Sequence, residues 1–90
     1  MKKIIDPFTC LLPTIDLHGL NSFEAEVKIK EFLNDSIRLC NYKICVIHGK
    51  GKGILKDTLY DILKKDKRVL SYRQDNINDG MSIIELDKLN

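Results

Sequence analysis

Two His-Gly pairs stand thirty residues apart in this chain: His18-Gly19 closes Thr14-Ile-Asp-Leu, and His48-Gly49 closes Ile44-Cys-Val-Ile. They contain the only two histidines. An imidazole titrates at about pH 6.5, so it can take up and release protons near neutrality. Asp16 lies two residues before His18 and, in a strand, projects on the same side. A carboxylate there can orient an imidazole and favour its charged form. Val46 and His48 share a side by the same alternation. If the two strands are neighbours in register, Asp16, His18 and His48 converge as a proton-transfer set. Each residue also has an ordinary reading: Asp16 can accept N–H bonds from its own loop, and either histidine can simply end its strand.

The second pair opens Gly49-Lys50-Gly51-Lys52-Gly53, a turn between an apolar run and a helical pattern. Glycines let backbone turn tightly and approach a ligand closely. The first N–H groups of a helix lack partners and carry partial positive charge, which suits an anion. Lys50 and Lys52, with Lys56 one turn on, add cations, so this stretch is expected to hold phosphate. It lacks the GxxxxGK[ST] spacing of a Walker loop, and GxGxG is one residue short of a dinucleotide fingerprint. A flexible turn with solubilising lysines is the plainer alternative.

The scaffold that must position these residues reads as β-α-β-α-β-β. Thr14–Leu17 is a short strand. Asn21 with Glu24 forms a capping-box pattern. Ala25, Ile29, Phe32, Leu33, Ser36 and Cys40 then recur at helical spacing, predicting a helix from about Ser22 to Leu39. Lys43–Ile47 is a nearly continuous apolar run, as in a covered central strand. A second helix begins near Ile54, with Leu55, Leu59, Ile62 and Leu63 as its buried stripe. Val69–Arg73 and Ser82–Leu86 are strands around the polar turn Gln74–Gly80. Helical crossovers make the first three strands parallel, and the short last connection fits an antiparallel hairpin. If both crossovers are right-handed and run in one direction, both helices cover one face. The expected fold is a two-layer α/β sandwich, a four-stranded mixed sheet with two helices on one face. The first strand's Ile15 and Leu17 should face the helices, and Asp16 and His18 the open side or its upper rim.

Ninety residues, 43% apolar and 31% charged, make one ordinary globular domain. Residues 1–13, with Pro7 and Pro13, read as an arm whose Ile4, Ile5, Phe8, Leu11 and Leu12 can pack on the domain at 14–90. No run approaches the ~20 apolar residues of a membrane span. The N-terminus lacks a signal peptide's apolar core, so the chain is read as cytoplasmic, without a membrane partner. Cys10, Cys40 and Cys45 form no CxxC pair; Cys40 and Cys45 are expected to be small buried hydrophobes. No Cys/His quartet has zinc spacing. The formal charge of +2 hides an asymmetry, since residues 50–73 carry 8 Lys/Arg against 3 Asp/Glu. That excess suits a polyanion, although a lysine-rich solvated helix face gives the same count. Tyr42, Tyr60 and Tyr72 show no base-stacking pattern and are left out of the site.

Ile15-Asp-Leu-His-Gly19, the capped helix with Glu24-Ala25, and His48-Gly-Lys-Gly-Lys-Gly53 together resemble the small MutS-related (Smr) domain over roughly residues 14–88. Ile15 stands where the first box often has leucine. Asn78-Asp-Gly-Met-Ser82 stands where the family usually has several glycines and a threonine. The resemblance implies a nucleic-acid-binding domain, often an endonuclease acting on DNA or RNA, including messenger RNA at stalled ribosomes. By position it assigns Asp16 and His18 to the box most associated with cleavage, and His48, Gly49, Lys50, Gly51 and Gly53 to the second. It also implies the form of a stand-alone domain. RNA carries its own 2′-hydroxyl nucleophile and asks mainly for acid–base groups, whereas DNA needs activated water and, commonly, a divalent metal such as Mg or Mn. One motif carboxylate favours RNA, with no cofactor assigned. A binding module that holds nucleic acid or the ribosome without chemistry is the competing reading, and the sequence sets no oligomeric state.

Overall fold

The computed structural model describes residues 12–51 and 53–88. The expected arm up to Leu11, and Lys52 of the glycine-lysine turn, lie outside the described residues. The elements are β1 (Thr14–Asp16), α1 (Ser22–Arg38), β2 (Lys43–Ile47), α2 (Ile54–Lys65), β3 (Val69–Gln74) and β4 (Met81–Leu86). The sheet runs β1-β2-β4-β3. β1 pairs with β2 in parallel, and β4 is antiparallel to both β2 and β3. This is the expected mixed sheet, with an order set by long-range pairing: the β2–α2–β3 crossover skips one strand position, and β4 returns to fill it. The start of β4 therefore lies against the end of β2.

α1 begins where expected because Asn21 and Glu24 form a reciprocal cap. The Asn21 side chain accepts from the Glu24 N–H at 2.8 Å, and Glu24 Oε1 accepts from the Asn21 N–H at 3.1 Å. Its stripe buries Ala25, Ile29, Leu33 and Ser36. α2 buries Leu59 and Leu63, with Leu55 and Ile62 partly covered. Both stripes pack on Leu17, Ile44, Val46, Ile84 and Leu86 from one sheet face. Each fully buried leucine or isoleucine contributes about 1.5–3 kcal/mol, so this seam dominates the fold's stability.

Cys40 departs from expectation: it is exposed. α1 ends at Arg38, and Cys40 takes a left-handed φ of 63°. The Cys40 N–H donates to the Ile37 carbonyl and the Asn41 N–H to the Ser36 carbonyl. This pair of bonds reverses the chain at a helix C-terminus and turns the thiol outward. Cys45 is buried as expected, and burial pushes its thiol pKa up.

Candidate functional site

The parallel β1–β2 pair brings both His-Gly turns to one edge of the sheet. The Leu17 N–H donates to the Ile47 carbonyl at 2.8 Å, so the two chains leave the sheet side by side, about 5 Å apart. Adjacent as they are, the turns are built differently.

The β1–α1 turn is closed by its own side chains. Asp16 Oδ1 accepts the His18 backbone N–H at 2.9 Å, and the Leu20 N–H returns to the Leu17 carbonyl. Asp16 and His18 are both exposed, while Leu17 between them is fully buried and anchors the turn. Asp16 thus grips the backbone of His18 rather than its ring. Lys28 of α1 places its ammonium 3.4 Å from the Asp16 carbonyl, a cation beside this turn that the sequence does not announce.

The β2–α2 turn is left open toward solvent. Gly53 is the N-cap of α2 at φ 82°, a left-handed conformation that glycine adopts freely, and no side chain caps the helix. Helix-start N–H groups without a side-chain cap keep their hydrogen-bonding capacity for an anion. Gly51 is different. Its φ is not left-handed, and a Cβ there would meet nothing within 4 Å. Neither backbone conformation nor neighbouring atoms call for glycine at that position.

His48 does not join Asp16. The register pairs Ile15 with Val46 and Asp16 with Ile47. Val46 faces the helices, so His48 follows it to that side, and Asp16 belongs to the opposite face. Aligning the two His-Gly motifs requires an offset of thirty residues, whereas the strands pair with an offset of thirty-one. One residue of slip exchanges the faces. The expected convergence of Asp16, His18 and His48 on one face is therefore corrected. His48 is 4% exposed, and both ring nitrogens have protein partners. Nδ1 lies 3.0 Å from the Gly49 carbonyl, which can only accept, so Nδ1 carries a proton. Nε2 lies 2.9 Å from Ser82 Oγ, which in turn lies 2.8 Å from the Tyr60 hydroxyl. With the neutral ring, Tyr60 donates to Ser82 and Ser82 to Nε2, leaving every group satisfied.

Ser82, Gly80 and Asp79 were not singled out from the sequence, and Tyr60, which was left out of the site, joins it through Ser82. The Gly80 carbonyl accepts the N–H groups of both His48 and Gly49, at 2.9 and 2.8 Å, fastening the β3–β4 turn to the loop. A Cβ on Gly80 would come within 3.2 Å of Lys50 Cγ and of Asn78 Oδ1, so any larger residue there makes these side chains give by a few tenths of an ångström. Asp79 Oδ1 lies 3.4 Å from Lys50 Nζ, both side chains well exposed. Ser82 carried one usable signal, since it is a polar residue at a core-facing position of β4, in step with Ile84 and Leu86. Lys56 is also placed differently from a free phosphate ligand. Its ammonium bonds Gln74 Oε1 and lies 5.5 Å from the centre of the Tyr60 ring.

Among the described residues no three His, Cys, Asp or Glu side chains stand together to hold a metal ion, and no helix is long and apolar enough to cross a membrane.

Comparison with known proteins matches residues 15–86 to the family model described as the Smr domain. Endonuclease MutS2 of Clostridium acetobutylicum is 38% identical over 76 residues, covering 81% of this chain and 10% of that protein. Endonuclease MutS2 of Thermotoga petrophila is 41% identical over 66 residues, covering 73% and 9%. The chain thus spans about a tenth of the length of these relatives. The crystal structure of the Smr domain of Thermus thermophilus MutS2 superposes with a TM-score of 0.80 at 28% identity, covering 83% of this chain and 98% of that one. YdaL, a stand-alone small MutS-related protein from Escherichia coli, gives a TM-score of 0.82 at 14% identity, over 97% and 80%, and shows the shared fold.

Proposed function

The chain belongs to the Smr domain family, and from that premise we propose that it binds single-stranded RNA at the β2–α2 turn and cleaves it with His18 of the neighbouring turn. The endonuclease name of its relatives supports this reading. The observation that carries it is the pairing of an uncapped helix start, preceded by a glycine the fold does not need, with an exposed Asp16-His18 turn on the next strand.

The chemistry follows from which groups are accessible. A phosphate seated on the α2 N-terminus, with Lys50 against its oxygens, presents the adjoining ribose toward His18. The imidazole takes the 2′-hydroxyl proton as O2′ attacks phosphorus. The bond from phosphorus to O5′ breaks, O5′ takes a proton from the Lys50 ammonium or from water, and a 2′,3′-cyclic phosphate remains. Backbone N–H groups and Lys50 stabilise the extra negative charge at phosphorus. Asp16 acts as a positioning residue through the His18 backbone. His48 does likewise for the Gly49 loop, because its nitrogens have no free edge to offer a substrate. No metal takes part in this route.

The commitment of Asp16 and His48 to internal bonds gives specific support to a second reading, a module that holds RNA without cleaving it. Turnover separates the two. The protein would be incubated with single-stranded RNA and with supercoiled plasmid, with and without Mg or Mn, beside Asp16→Asn and His18→Ala. RNA cleavage that falls at least 100-fold in His18→Ala while binding persists supports the enzyme. Equal cleavage by parent and variants identifies a contaminant. Binding without any cleavage leaves the module, and metal-dependent nicking of plasmid alone replaces RNA with DNA.

A further inference from the structure

Ser82 stands on the helix-facing side of β4, in step with Ile84 and Leu86, and is fully buried. A buried hydroxyl costs free energy unless it is hydrogen-bonded. This one lies 2.9 Å from His48 Nε2 and 2.8 Å from the Tyr60 hydroxyl. A serine hydroxyl has a single hydrogen to give. With Tyr60 donating to Ser82, that hydrogen goes to Nε2, and the neutral ring keeps its own proton on Nδ1. Nδ1–H in turn holds the Gly49 carbonyl at 3.0 Å.

The consequence reaches the next residue. The Gly49–Lys50 peptide is trans, and in a planar trans peptide the C=O and the N–H point in opposite directions. The Gly49 carbonyl turns toward the buried ring, so the Lys50 N–H turns away from it, to the exposed side of the turn. That N–H meets no acceptor among the described residues, whereas the N–H groups of His48 and Gly49 are both bound to the Gly80 carbonyl. We propose that Ser82 is a positioning residue, which through His48 aims the Lys50 N–H at a phosphate oxygen seated on the start of α2. The inference rests on the phosphate reading of the β2–α2 turn, and adds to it one donor and the residue that orients it. Without the Ser82 hydroxyl, Nε2 loses its partner, and the ring is free to turn or to carry its proton there. A bare Nδ1 would face the Gly49 oxygen, acceptor against acceptor, and the peptide would rotate and take the Lys50 N–H with it.

Ser82→Thr and Ser82→Val have nearly the same shape and differ in the hydroxyl, so packing changes common to both cancel. Ser82→Ala stands beside them without added bulk, and circular dichroism confirms that each variant keeps the fold. Imidazole ¹⁵N shifts at about pH 8, where an ordinary histidine is neutral, read the proton of His48. The Lys50 amide signal reads the peptide, and fluorescence anisotropy reads binding of a short 2′-O-methyl RNA. The expected result is one Nδ1–H form in the parent and in Ser82→Thr, with affinities within twofold. Ser82→Val and Ser82→Ala should lose that single form, move the Lys50 amide signal and bind the RNA about fivefold more weakly. Unchanged imidazole shifts in Ser82→Val would overturn the proposal, as would equal changes at Lys50 and in affinity for Ser82→Thr and Ser82→Val. The imidazole and Lys50 signals need no RNA. A parent that fails to bind RNA therefore refutes the phosphate reading, while these two signals still decide the role of Ser82.

Discussion

The two turns at the carboxyl edge of the sheet start from the same dipeptide and reach opposite ends. The β1–α1 turn spends its polar groups internally: Asp16 holds the His18 N–H, and Asn21 with Glu24 closes the start of α1. The β2–α2 turn has no side-chain cap at Gly53, keeps a glycine at 51 that its backbone does not require, and exposes Lys50. The burial of the histidines is reversed as well. His18 is exposed at the end of the closed turn, and His48 is sealed beneath the open one. A rigid turn suits a group that must be aimed, and an uncapped helix start suits one that must receive an anion. The division of labour proposed for them rests on capping rather than on the shared motif.

Filling the open turn should have the largest effect. A Cβ at Gly51 meets no neighbour within 4 Å, so the melting temperature of Gly51→Asp should stay near the parent's while a carboxylate enters the loop. RNA affinity measured by fluorescence anisotropy should fall at least tenfold, or about 1.4 kcal/mol. Gly51→Ala should weaken binding by less, reporting close approach alone. Removing the cap from the closed turn should act on the fold and spare the ligand. Asn21→Ala should lower stability in urea by about 1 kcal/mol with RNA affinity within twofold of the parent. If Asn21→Ala loses RNA binding and Gly51→Asp does not, the roles assigned to the turns are exchanged.

The smallest effect sharpens the open turn. Asp79 sits 3.4 Å from Lys50 and competes with phosphate for its ammonium. An exposed pair of this kind contributes at most about 1 kcal/mol. Asp79→Asn should tighten RNA binding about two- to threefold, and the gain should vanish in a Lys50→Ala background. A gain that persists there reflects overall charge rather than this contact.

Most of the fold was legible because it is written locally. The Asn21 and Glu24 cap, the Ala25–Ile29–Leu33 stripe and the apolar run at Lys43–Ile47 each specify one element, and those elements appear where expected. The placement of β4 between β2 and β3 was not legible, because it depends on pairings between residues far apart in the chain. The same distance hid the Gly80 carbonyl from the loop it fastens. His48 was misplaced by a single residue of register, a quantity that local alternation along either strand cannot reveal. Cys40 was misplaced because its helical spacing outlasts the helix, which ends two residues earlier at Arg38.

Amide shifts read both turns in one experiment. The ¹⁵N-labelled chain would be titrated with a short single-stranded RNA that carries a 2′-O-methyl group at each position, so that it binds without being cleaved. The expected result is large shifts at Lys50, Gly51, Gly53, Ile54 and Leu55, smaller ones at His18 and Gly19, and none at Phe23 or Glu24. Shifts that gather at the capped start of α1, with Gly51 to Leu55 unmoved, would contradict the account.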